Sequence, residues 1–405
     1  MLLTTGLSIK SERSRVTKLA DAINAAIDAI QGEMVALRRS LHAAPEIAFQ
    51  EHETAARIAS ELTSAGLDVN AEIGGTGLVG IIEGARPGPT LMIRADIDGL
   101  PVTELTGLEF ASTNGNMHAC GHDGHITIAI GAAKVLSGMR DRLAGKIVFL
   151  FQPAEEIVGG ANAMIDDSVL QDYPCDRAIG LHLWNPLPLG TIGVNRSTVF
   201  ASADAVRITV RGRGGHGALP HLAADPVAAA AQIVSAAQTV ISREVPPNEM
   251  GVLTFGQIHG GVAPNVIPDE VVIEGTIRAY TPDIRELIHQ SLERLAKQTA
   301  LAMKSEVTFE RLYGAPPVVN NPEVADWIAA TAAGVIGADN VGEVEPVSVG
   351  DDMAEFINRV PGCYFLLGAS KDGAENHHNA RFDFDEACLP TGTEVFVRAA
   401  LDYLS

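Results

Sequence analysis

Residues 146–156 read Lys-Ile-Val-Phe-Leu-Phe-Gln-Pro-Ala-Glu-Glu, a run of apolar side chains that ends in two adjacent carboxylates. The apolar part is typical of a strand buried on both faces of a sheet, and the proline after it ends the strand. Elsewhere, a Glu-Glu pair is typical of a solvated acidic turn. At the end of a buried strand, Glu155 and Glu156 instead suggest a catalytic or metal-binding site, because adjacent side chains there point in different directions.

The segments before this stretch carry the same signal. Short apolar runs occur at 77–82 and 90–93 between Gly and Pro turns, and apolar residues recur at helical spacing over 16–39, 51–67 and 125–136. This alternation of strands and helices predicts an α/β domain with a largely buried sheet.

The pattern changes after about residue 203. It predicts, in order, a strand at 206–210, a helix at 223–241, strands at 252–258 and 271–278, and a helix at 283–303. This β-α-β-β-α order predicts a small α+β domain inserted at residues 203–313. Helices and strands alternate again after it, so we expect residues 1–202 and 314–405 to form one discontinuous domain.

Composition and charge exclude several classes of function. The formal net charge of −21 over 405 residues leaves no basic stripe for a nucleic-acid backbone. The sequence contains no apolar run of the roughly 18 residues that a membrane span needs, and its N-terminal apolar stretch is too short for a secretory signal. The four cysteines are widely spaced, which suits a reducing compartment. We therefore predict a cytoplasmic protein that binds neither nucleic acid nor membrane.

A second dense cluster lies at residues 117–125, Met-His-Ala-Cys-Gly-His-Asp-Gly-His. His118, Cys120 and His122 are spaced two apart, so in an extended loop their side chains project to one side. A thiolate and imidazoles on one side form a nitrogen-and-sulfur site for a divalent cation. A single histidine is more often a hydrogen-bonded loop residue, but this density of ligands favours a metal site.

Two further histidine motifs complete such a site. His182 lies among apolar residues in the stretch 180–185, Gly-Leu-His-Leu-Trp-Asn, and a histidine pair occurs in 376–379, Asn-His-His-Asn. Taken alone, each motif is typical of a structural histidine. Together with the cluster at 117–125 they indicate ligands for one metal centre.

The motifs of the chain, taken together, resemble the aminoacylase and glutamate-carboxypeptidase family of metallopeptidases, peptidase family M20. The stretches that carry the resemblance are 94–101 (Arg-Ala-Asp-Ile-Asp-Gly-Leu-Pro), 118–125, 152–156, 212–216 and 265–268. They match in order over nearly the whole chain, and the cysteine-containing motif is most similar to the branch of hippurate hydrolases, N-acyl-L-amino acid amidohydrolases and auxin-conjugate hydrolases. The resemblance implies a zinc-peptidase-like catalytic domain with a mixed sheet flanked by helices, and an inserted ferredoxin-like lid and dimerisation domain.

The resemblance also implies a set of metal ligands. They are Cys120, His122, Glu156, His182 and His378, with Cys120 bridging two divalent ions per subunit, for which zinc, manganese, cobalt and nickel are all suitable. One bridging and two terminal ligands per ion leave a position for water, as catalytic sites require. His378 is preferred over His377 because an aromatic residue, Phe382, follows it four positions later; His377 stays an alternative.

Other residues receive catalytic roles by the same resemblance. Glu155 is implied as the general base, and Asp98 as a residue that orients a ligating histidine, although a loop cap at a strand end is an equally good interpretation of Asp98. His216 is implied to reach the active site of the partner subunit and to hydrogen-bond the substrate carbonyl. Asn265 and Arg278 are implied to hold the substrate carboxylate, which a guanidinium can grip despite the acidic net charge. Without the resemblance, the glycine cluster around His216 is typical of a turn and Arg278 of a surface strand.

The implied activity is hydrolysis of the amide bond of N-acyl amino acids, small-molecule substrates, by a homodimer or homotetramer. Three alternatives stay open. The first is a metallo-exopeptidase, of the carboxypeptidase or dipeptidase type, on the same scaffold. The others are an amidase with Cys120 as its nucleophile and a non-catalytic binding protein that retains the fold.

Overall fold

The structure is a computed structural model that describes the backbone of residues 4–405 and the side chains of residues 17–405. The chain divides into two compact units. The first contains Met1–Ser197, Asn320–Val344 and Phe356–Ser405, and the second contains Thr198–Val319 and Glu345–Glu355. The predicted domain boundaries at residues 202 and 313 stay predictions. The expectation that the N-terminal apolar stretch is too short for a secretory signal concerns residues that lie partly outside the described ones.

The described residues form ten helices and sixteen strands. The helices are α1 (Thr4–His42), α2 (His52–Ser64), α3 (His122–Ser137), α4 (Gly160–Asp166), α5 (Val169–Asp172), α6 (Pro226–Thr239), α7 (Pro282–Ala302), α8 (Pro322–Ile336), α9 (Met353–Ile357) and α10 (Cys388–Tyr403). The strands are β1 (Asp68–Ile73), β2 (Gly77–Glu83), β3 (Arg86–Asp96), β4 (Ala144–Gln152), β5 (Arg177–Trp184), β6 (Ile192–Val194), β7 (Thr198–Phe200), β8 (Ala203–Arg211), β9 (Gly215–His216), β10 (Gly251–Gly260), β11 (Val266–Ile267), β12 (Glu270–Ala279), β13 (Glu306–Ala315), β14 (Val318–Val319), β15 (Val341–Glu343) and β16 (Gly362–Gly368).

The first unit is built on an eight-stranded mixed sheet in the order β1-β2-β4-β3-β5-β16-β6-β15. Strands β4, β3, β5 and β16 run parallel to one another, and β1, β2 and β6 join by antiparallel pairing. Helices α1, α3 and α10 pack against one another and α3 also packs on β3. The predicted α/β fold with a mixed sheet flanked by helices is confirmed.

Three parallel strands at the centre of this sheet position the candidate site. The second half of β3 and most residues of β4 and β5 are buried, as expected for strands with apolar runs in the middle of a sheet. In register, Asp96 at the end of β3 lies beside Gln152 at the end of β4. The carboxyl ends of parallel strands open at one edge of the sheet, where ligands of α/β proteins bind. The segments that follow β3 and β4, and the last residues of β5, therefore meet there.

The second unit contains a four-stranded antiparallel sheet in the order β10-β12-β8-β13. Helices α6 and α7 pack against each other and against strands of this sheet. Each helix begins at a side-chain cap: Asp225 accepts from the backbone of Val227 and Ala228, and Thr281 accepts from that of Ile284. The sequence analysis did not predict strand β13, which follows α7.

None of the helices among the described residues is both long enough and apolar enough to span a bilayer.

Candidate metal centre

Four separate stretches of the first unit bring metal-ligating side chains to the open edge of the sheet. Cys120 lies in the loop before α3 and His122 is the first residue of that helix. Glu156 follows β4, His182 belongs to β5, and His378 lies in the loop after β16. Residues up to 258 positions apart in sequence thus meet because the parallel strands end together.

The first group of ligand atoms consists of Cys120, His122 and His182, whose donor atoms all lie within 4.8 Å of one another. The Cys120 sulfur lies 3.5 Å from Nε2 of His182. All three side chains are buried. A thiolate and two imidazoles at this spacing have the composition of a zinc-type site.

The second group consists of Cys120, Glu156 and His378, again with all donor atoms within 4.8 Å. Nε2 of His378 lies 3.3 Å from Oε2 of Glu156. The backbone of His378 has a φ of 63°, in the left-handed region. Its N–H donates to the carbonyl of Ala119 at 2.7 Å. The sulfur of Cys120 is therefore common to both groups.

The neighbouring histidine, His377, has a different environment. Its Nε2 donates to the carbonyl of Leu183 at 2.9 Å, and its ring stacks on Trp184 with centroids 4.9 Å apart. The ring of Phe382 also packs on His377, with the two ring centroids 4.9 Å apart. His377 thus occupies a packed and hydrogen-bonded position, whereas His378 faces Glu156.

Hydrogen bonds at Nδ1 orient both buried histidines of the first group. Nδ1 of His122 donates to the backbone carbonyl of Asp98 at 2.9 Å, and Nδ1 of His182 donates to that of Leu183 at 2.6 Å. Each bond places a proton on Nδ1, so Nε2 is the nitrogen available to a cation. Asp98 also accepts the N–H of Glu156 on Oδ2 at 3.0 Å, so it contacts two of the candidate ligands.

A network of buried hydrogen bonds next to the metal centre was not predicted from the sequence. Nδ1 of His125 donates to Oδ1 of Asp96 at 2.6 Å, and its Nε2 accepts the N–H of Leu183 at 2.9 Å. Arg94 donates in turn to Asp96 at 2.7 Å and to Gln152 at 2.9 Å. Because both nitrogens of His125 are engaged, this histidine fixes the end of β5 next to His182. The only sequence signal for it was its place in the cluster at 117–125.

Glu155 and Glu156 lie in a short 3₁₀ turn, Glu155–Ile157, rather than in an extended strand end. Residues with left-handed backbone flank this turn, Ala154 with φ of 51° and Val158 with φ of 56°. Oε2 of Glu155 and Oε1 of Glu156 each lie 3.9 Å from Nε2 of His122. The two side chains were expected to point in different directions from a strand end; instead, a turn carries them, and one oxygen of each lies near His122.

The expectation of an extended loop through His118, Cys120 and His122 is also wrong. Gly121 has a φ of 89° and His122 begins α3, so the chain turns between Cys120 and His122. Glycine adopts this left-handed conformation without a steric penalty. Among the described residues, His118 joins neither ligand group; burial lowers its pKa to about 4, so its ring is neutral.

The electrostatics of the centre favour a bound cation. Burial alone lowers the pKa of His122, but the carboxylates of Asp96, Asp98 and Glu156 outweigh burial and raise it to about 10. In contrast, burial and the neighbouring imidazoles hold the pKa of His182 well below its usual range. The carboxylates around His122 therefore attract positive charge, while the ring of His182 provides a neutral nitrogen donor.

The residues present fit divalent metal ions. Nε2 of His122 and Oε1 of Glu156 are buried and have no hydrogen-bond partner among the described residues. Buried polar atoms without partners are rare and mark a missing water or ion. Sulfur, nitrogen and oxygen donors together suit borderline transition metals.

The three remaining candidate residues lie in the second unit. His216 in β9 pairs with Val266 in β11, and the N–H of Gly217 donates to the carbonyl of Asn265 at 2.8 Å. His216 and Asn265 are therefore neighbours. Arg278 lies on β12, half-buried, and donates to the carbonyl of the preceding residue at 3.1 Å.

Comparisons with known proteins find similar sequences and similar structures. A family profile described as peptidase family M20/M25/M40 matches residues 92–402. N-acetyldiaminopimelate deacetylase of Streptococcus sanguinis is 38% identical over 91% of this chain and 97% of the relative. Thermostable carboxypeptidase 1 of Saccharolobus solfataricus is 34% identical over 92% of this chain and 96% of the relative. The crystal structure of Bacillus subtilis YXEP, described as a dinuclear metal binding peptidase from the M20 family, has a TM-score of 0.81 and 33% identity over 93% of this chain and 99% of that chain.

Proposed function

This chain belongs to peptidase family M20/M25/M40, and from that premise we propose how its metal centre works. The protein is a metal-dependent amidohydrolase of N-acyl amino acids, which releases a carboxylic acid and a free amino acid. We propose that two divalent ions, zinc, manganese, cobalt or nickel, are held by five ligands. These are Cys120, His122, Glu156, His182 and His378.

One observation carries the proposal: the five candidate ligands form two groups of three that share the sulfur of Cys120. A shared thiolate with two further donors on either side would allow these residues to hold a pair of ions. The orphaned nitrogen of His122 and the orphaned oxygen of Glu156 support it, because each gains a partner when the ions are bound.

The ions, when bound, lower the pKa of a water and stabilise the negative charge that develops on the amide oxygen. Glu155 is the general base in this proposal. Glu155 is 6% exposed, and its Oε2 lies 3.9 Å from Nε2 of His122. It accepts a proton from the attacking water and passes it to the leaving nitrogen, so that the amine departs neutral. Asp98 holds the backbone of Glu156 and the ring of His122 in place.

We propose that His216, Asn265 and Arg278 bind the substrate. The ring of His216 is exposed, and its Nδ1 accepts the N–H of Ala218 at 3.1 Å. This bond places the ring proton on Nε2, where it is able to donate to a carbonyl oxygen. Arg278 offers a planar guanidinium for the free carboxylate that every N-acyl amino acid carries.

We further propose that the protein forms a homodimer through its second unit, with His216 acting on the active site of the partner subunit. Strand β10 is an edge strand of the four-stranded sheet, and its exposed side chains include Val252 and Ile258, which are 38% and 54% exposed. A long edge strand with exposed apolar side chains is a surface on which a second chain can pair.

A metallo-exopeptidase is the second candidate function, because one relative at 34% identity is named a carboxypeptidase. The two functions use the same centre and differ in what the acyl side of the substrate must carry. An enzyme that requires a free α-amine or a peptide on that side is an exopeptidase. An enzyme that accepts simple acetyl and benzoyl groups is an N-acyl amino acid hydrolase.

A substrate screen with defined metals tests the proposed function. The purified protein is stripped with a chelator, reloaded separately with zinc, manganese, cobalt or nickel, and assayed by mass spectrometry on N-acetyl, N-benzoyl and long-chain N-acyl amino acids and on matched dipeptides. We expect release of the free amino acid by at least one reloaded form and none by the stripped protein. Release that is unaffected by stripping, or no release from any substrate, contradicts the proposal.

A further inference from the structure

A buried carboxylate outside the metal centre holds the turn that carries Glu155. Glu51 precedes α2 and is completely buried. Oε2 accepts the hydroxyl of Thr76 at 2.5 Å, and Oε1 accepts the backbone N–H of Ala154 at 2.9 Å. The second bond spans 103 positions of sequence and ends on the residue directly before Glu155.

The segment that receives this bond has an unfavourable backbone conformation. Ala154 has a φ of 51° and Val158 a φ of 56°. A left-handed conformation costs roughly 1–2 kcal/mol for a residue with a Cβ atom, and it is a clear outlier for a β-branched valine. Such a conformation persists only where surrounding structure determines it. Within the segment, the carbonyl of Ala154 accepts the N–H groups of Gly159 and Gly160, which closes the turn around Glu155.

The loop that carries Glu51 also fixes the second catalytic segment. The carbonyl of Glu46 accepts the N–H of Gly99 at 2.7 Å, directly after Asp98. Asp98 in turn accepts the N–H of Glu156 at 3.0 Å. Residues 46–51 therefore hold both the Asp98 segment and the Glu155 turn from one side.

We propose that Glu51 is a positioning residue for the general base: its carboxylate fixes Ala154 in the left-handed conformation that directs Glu155 into the metal centre. This inference rests on the proposed function, because it assigns the consequence of the contact to the role of Glu155. Without the Glu51 carboxylate, the buried N–H of Ala154 loses its acceptor. We expect the backbone of Ala154 then to relax toward the right-handed region. A shift of about 1 Å in a reacting group is enough to reduce a rate by about 100-fold.

The chain offers a conservative variant that separates position from charge. In Glu51→Gln the amide oxygen still accepts the N–H of Ala154, and the amide nitrogen donates to the hydroxyl of Thr76, which is able to accept. In Glu51→Ala both bonds are lost. We expect kcat to fall by about 100-fold in Glu51→Ala, with KM and metal content unchanged, and to recover to within about fivefold of wild type in Glu51→Gln.

A matched control lies on the same loop. The side chain of Glu46 accepts from the backbone of Glu53 and Thr54 and from the hydroxyl of Thr54, all at the start of α2. Glu46→Ala removes a carboxylate of the same loop and weakens the same helix start, but none of the lost bonds reaches the Glu155 turn. The variant keeps the backbone carbonyl of residue 46, which accepts from Gly99. We expect Glu46→Ala to lower the melting temperature and to leave kcat within about twofold of wild type.

Hydrogen exchange measured by mass spectrometry provides a readout that is independent of turnover. In the metal-loaded proteins, we expect the peptide covering residues 153–160 to exchange at least tenfold faster in Glu51→Ala than in wild type, Glu51→Gln or Glu46→Ala. Unchanged exchange and kcat in Glu51→Ala, or an equal loss of kcat in Glu46→Ala, overturns the positioning role. A wild-type enzyme without turnover on any substrate refutes the proposed function instead, while the exchange comparison still decides whether Glu51 holds the turn.

Discussion

The sulfur of Cys120 is the atom on which the two ligand groups depend. Cys120 as a residue is 8% exposed. Its sulfur is the only donor shared by the two groups, one with His122 and His182 and the other with Glu156 and His378. A thiolate has the charge and the available lone pairs to contact two cations, which an imidazole nitrogen lacks. Among the described residues, the other buried cysteines of the first unit, Cys363 and Cys388, join neither ligand group, and burial raises their pKa above the ordinary thiol value.

The adjacent histidines His377 and His378 allow a direct test of the ligand assignment. We expect His378→Ala to lose about one of two bound ions, because Glu156 and Cys120 alone remain on that side. His377→Ala removes the stack on Trp184 and a hydrogen bond to Leu183, so we expect a lower melting temperature with metal content unchanged. Elemental analysis of the purified variants, with thermal unfolding alongside, measures both effects; metal loss in His377→Ala alone reverses the assignment.

The base role of Glu155 makes a different prediction at the residue scale. Glu155→Ala removes a proton acceptor but none of the five proposed ligands. We therefore expect metal content to stay at the wild-type level while kcat falls by about 10²–10⁴-fold, the usual contribution of a positioned base. Turnover is measured with saturating N-acyl amino acid and metal by elemental analysis. Retained turnover shows that another group takes the proton.

At the scale of elements, α1 and α3 are joined by a buried charge network behind the metal centre. His42 of α1 bonds Asp123 of α3 at 2.8 Å and Glu104 at 3.2 Å, and Arg38 bonds the same oxygen of Asp123 at 2.9 Å. Burial lowers the pKa of His42, but Asp123 and Glu104 outweigh it and raise the pKa to about 9. The folded protein therefore holds the proton of His42 more tightly than the unfolded chain does.

This network predicts a pH dependence of stability. Because the folded pKa of about 9 exceeds the unfolded value of about 6.5, the contribution of His42 is complete below pH 6.5 and is lost as the pH rises through 9. The difference corresponds to about 3 kcal/mol. Urea unfolding of wild type and His42→Gln at pH 6.0 to 9.5 measures it, and we expect the gap between the two proteins to shrink with rising pH. A constant gap contradicts the network.

The elements also show what sequence patterns are able to predict. The buried strands 77–82 and 146–151 and the helix 283–303 were predicted within one or two residues of β2, β4 and α7, because their apolar periodicity is strong. Strand β13 was missed; it is an edge strand, and most of its residues are exposed. The start of α3 was placed three residues late, because Gly121 lets the chain enter the helix at His122 from a left-handed turn.

The site follows the same rule. Its candidate ligands were predicted from dense motifs and a family resemblance. In contrast, Glu51 and His125 accept hydrogen bonds from backbone N–H groups far away in sequence, and Asp96 accepts from the ring of His125. A single sequence carries no local signal for such contacts. The resemblance already favours His378 over His377, and the stacking of His377 on Trp184 is consistent with that preference.

For the whole molecule, the net charge of −21 opposes an anionic substrate at long range. Recognition of the substrate carboxylate therefore depends on a local cation, and Arg278 is our candidate for it. A guanidinium suits this task because it remains charged and binds a carboxylate through two parallel hydrogen bonds.

Hybrid oligomers test the action of His216 across subunits. His216→Ala and Glu155→Ala are each expected to be almost inactive alone. If His216 serves the partner's site in a homodimer, equal mixing with subunit exchange yields hybrids with one complete site, and about a quarter of wild-type activity returns. Activity is assayed after mixing, with size-exclusion chromatography to confirm the oligomer. No recovery in verified hybrids indicates that His216 acts within its own subunit.

The central claim, that Cys120 bridges two ions, is tested most directly by a crystal structure of the zinc-loaded protein with anomalous diffraction at the zinc edge. We predict two anomalous peaks per chain, each about 2.3 Å from the Cys120 sulfur. One peak is expected to contact His122 and His182, and the other Glu156 and His378. A single peak, or two peaks of which either lies beyond bonding distance of the sulfur, contradicts the account.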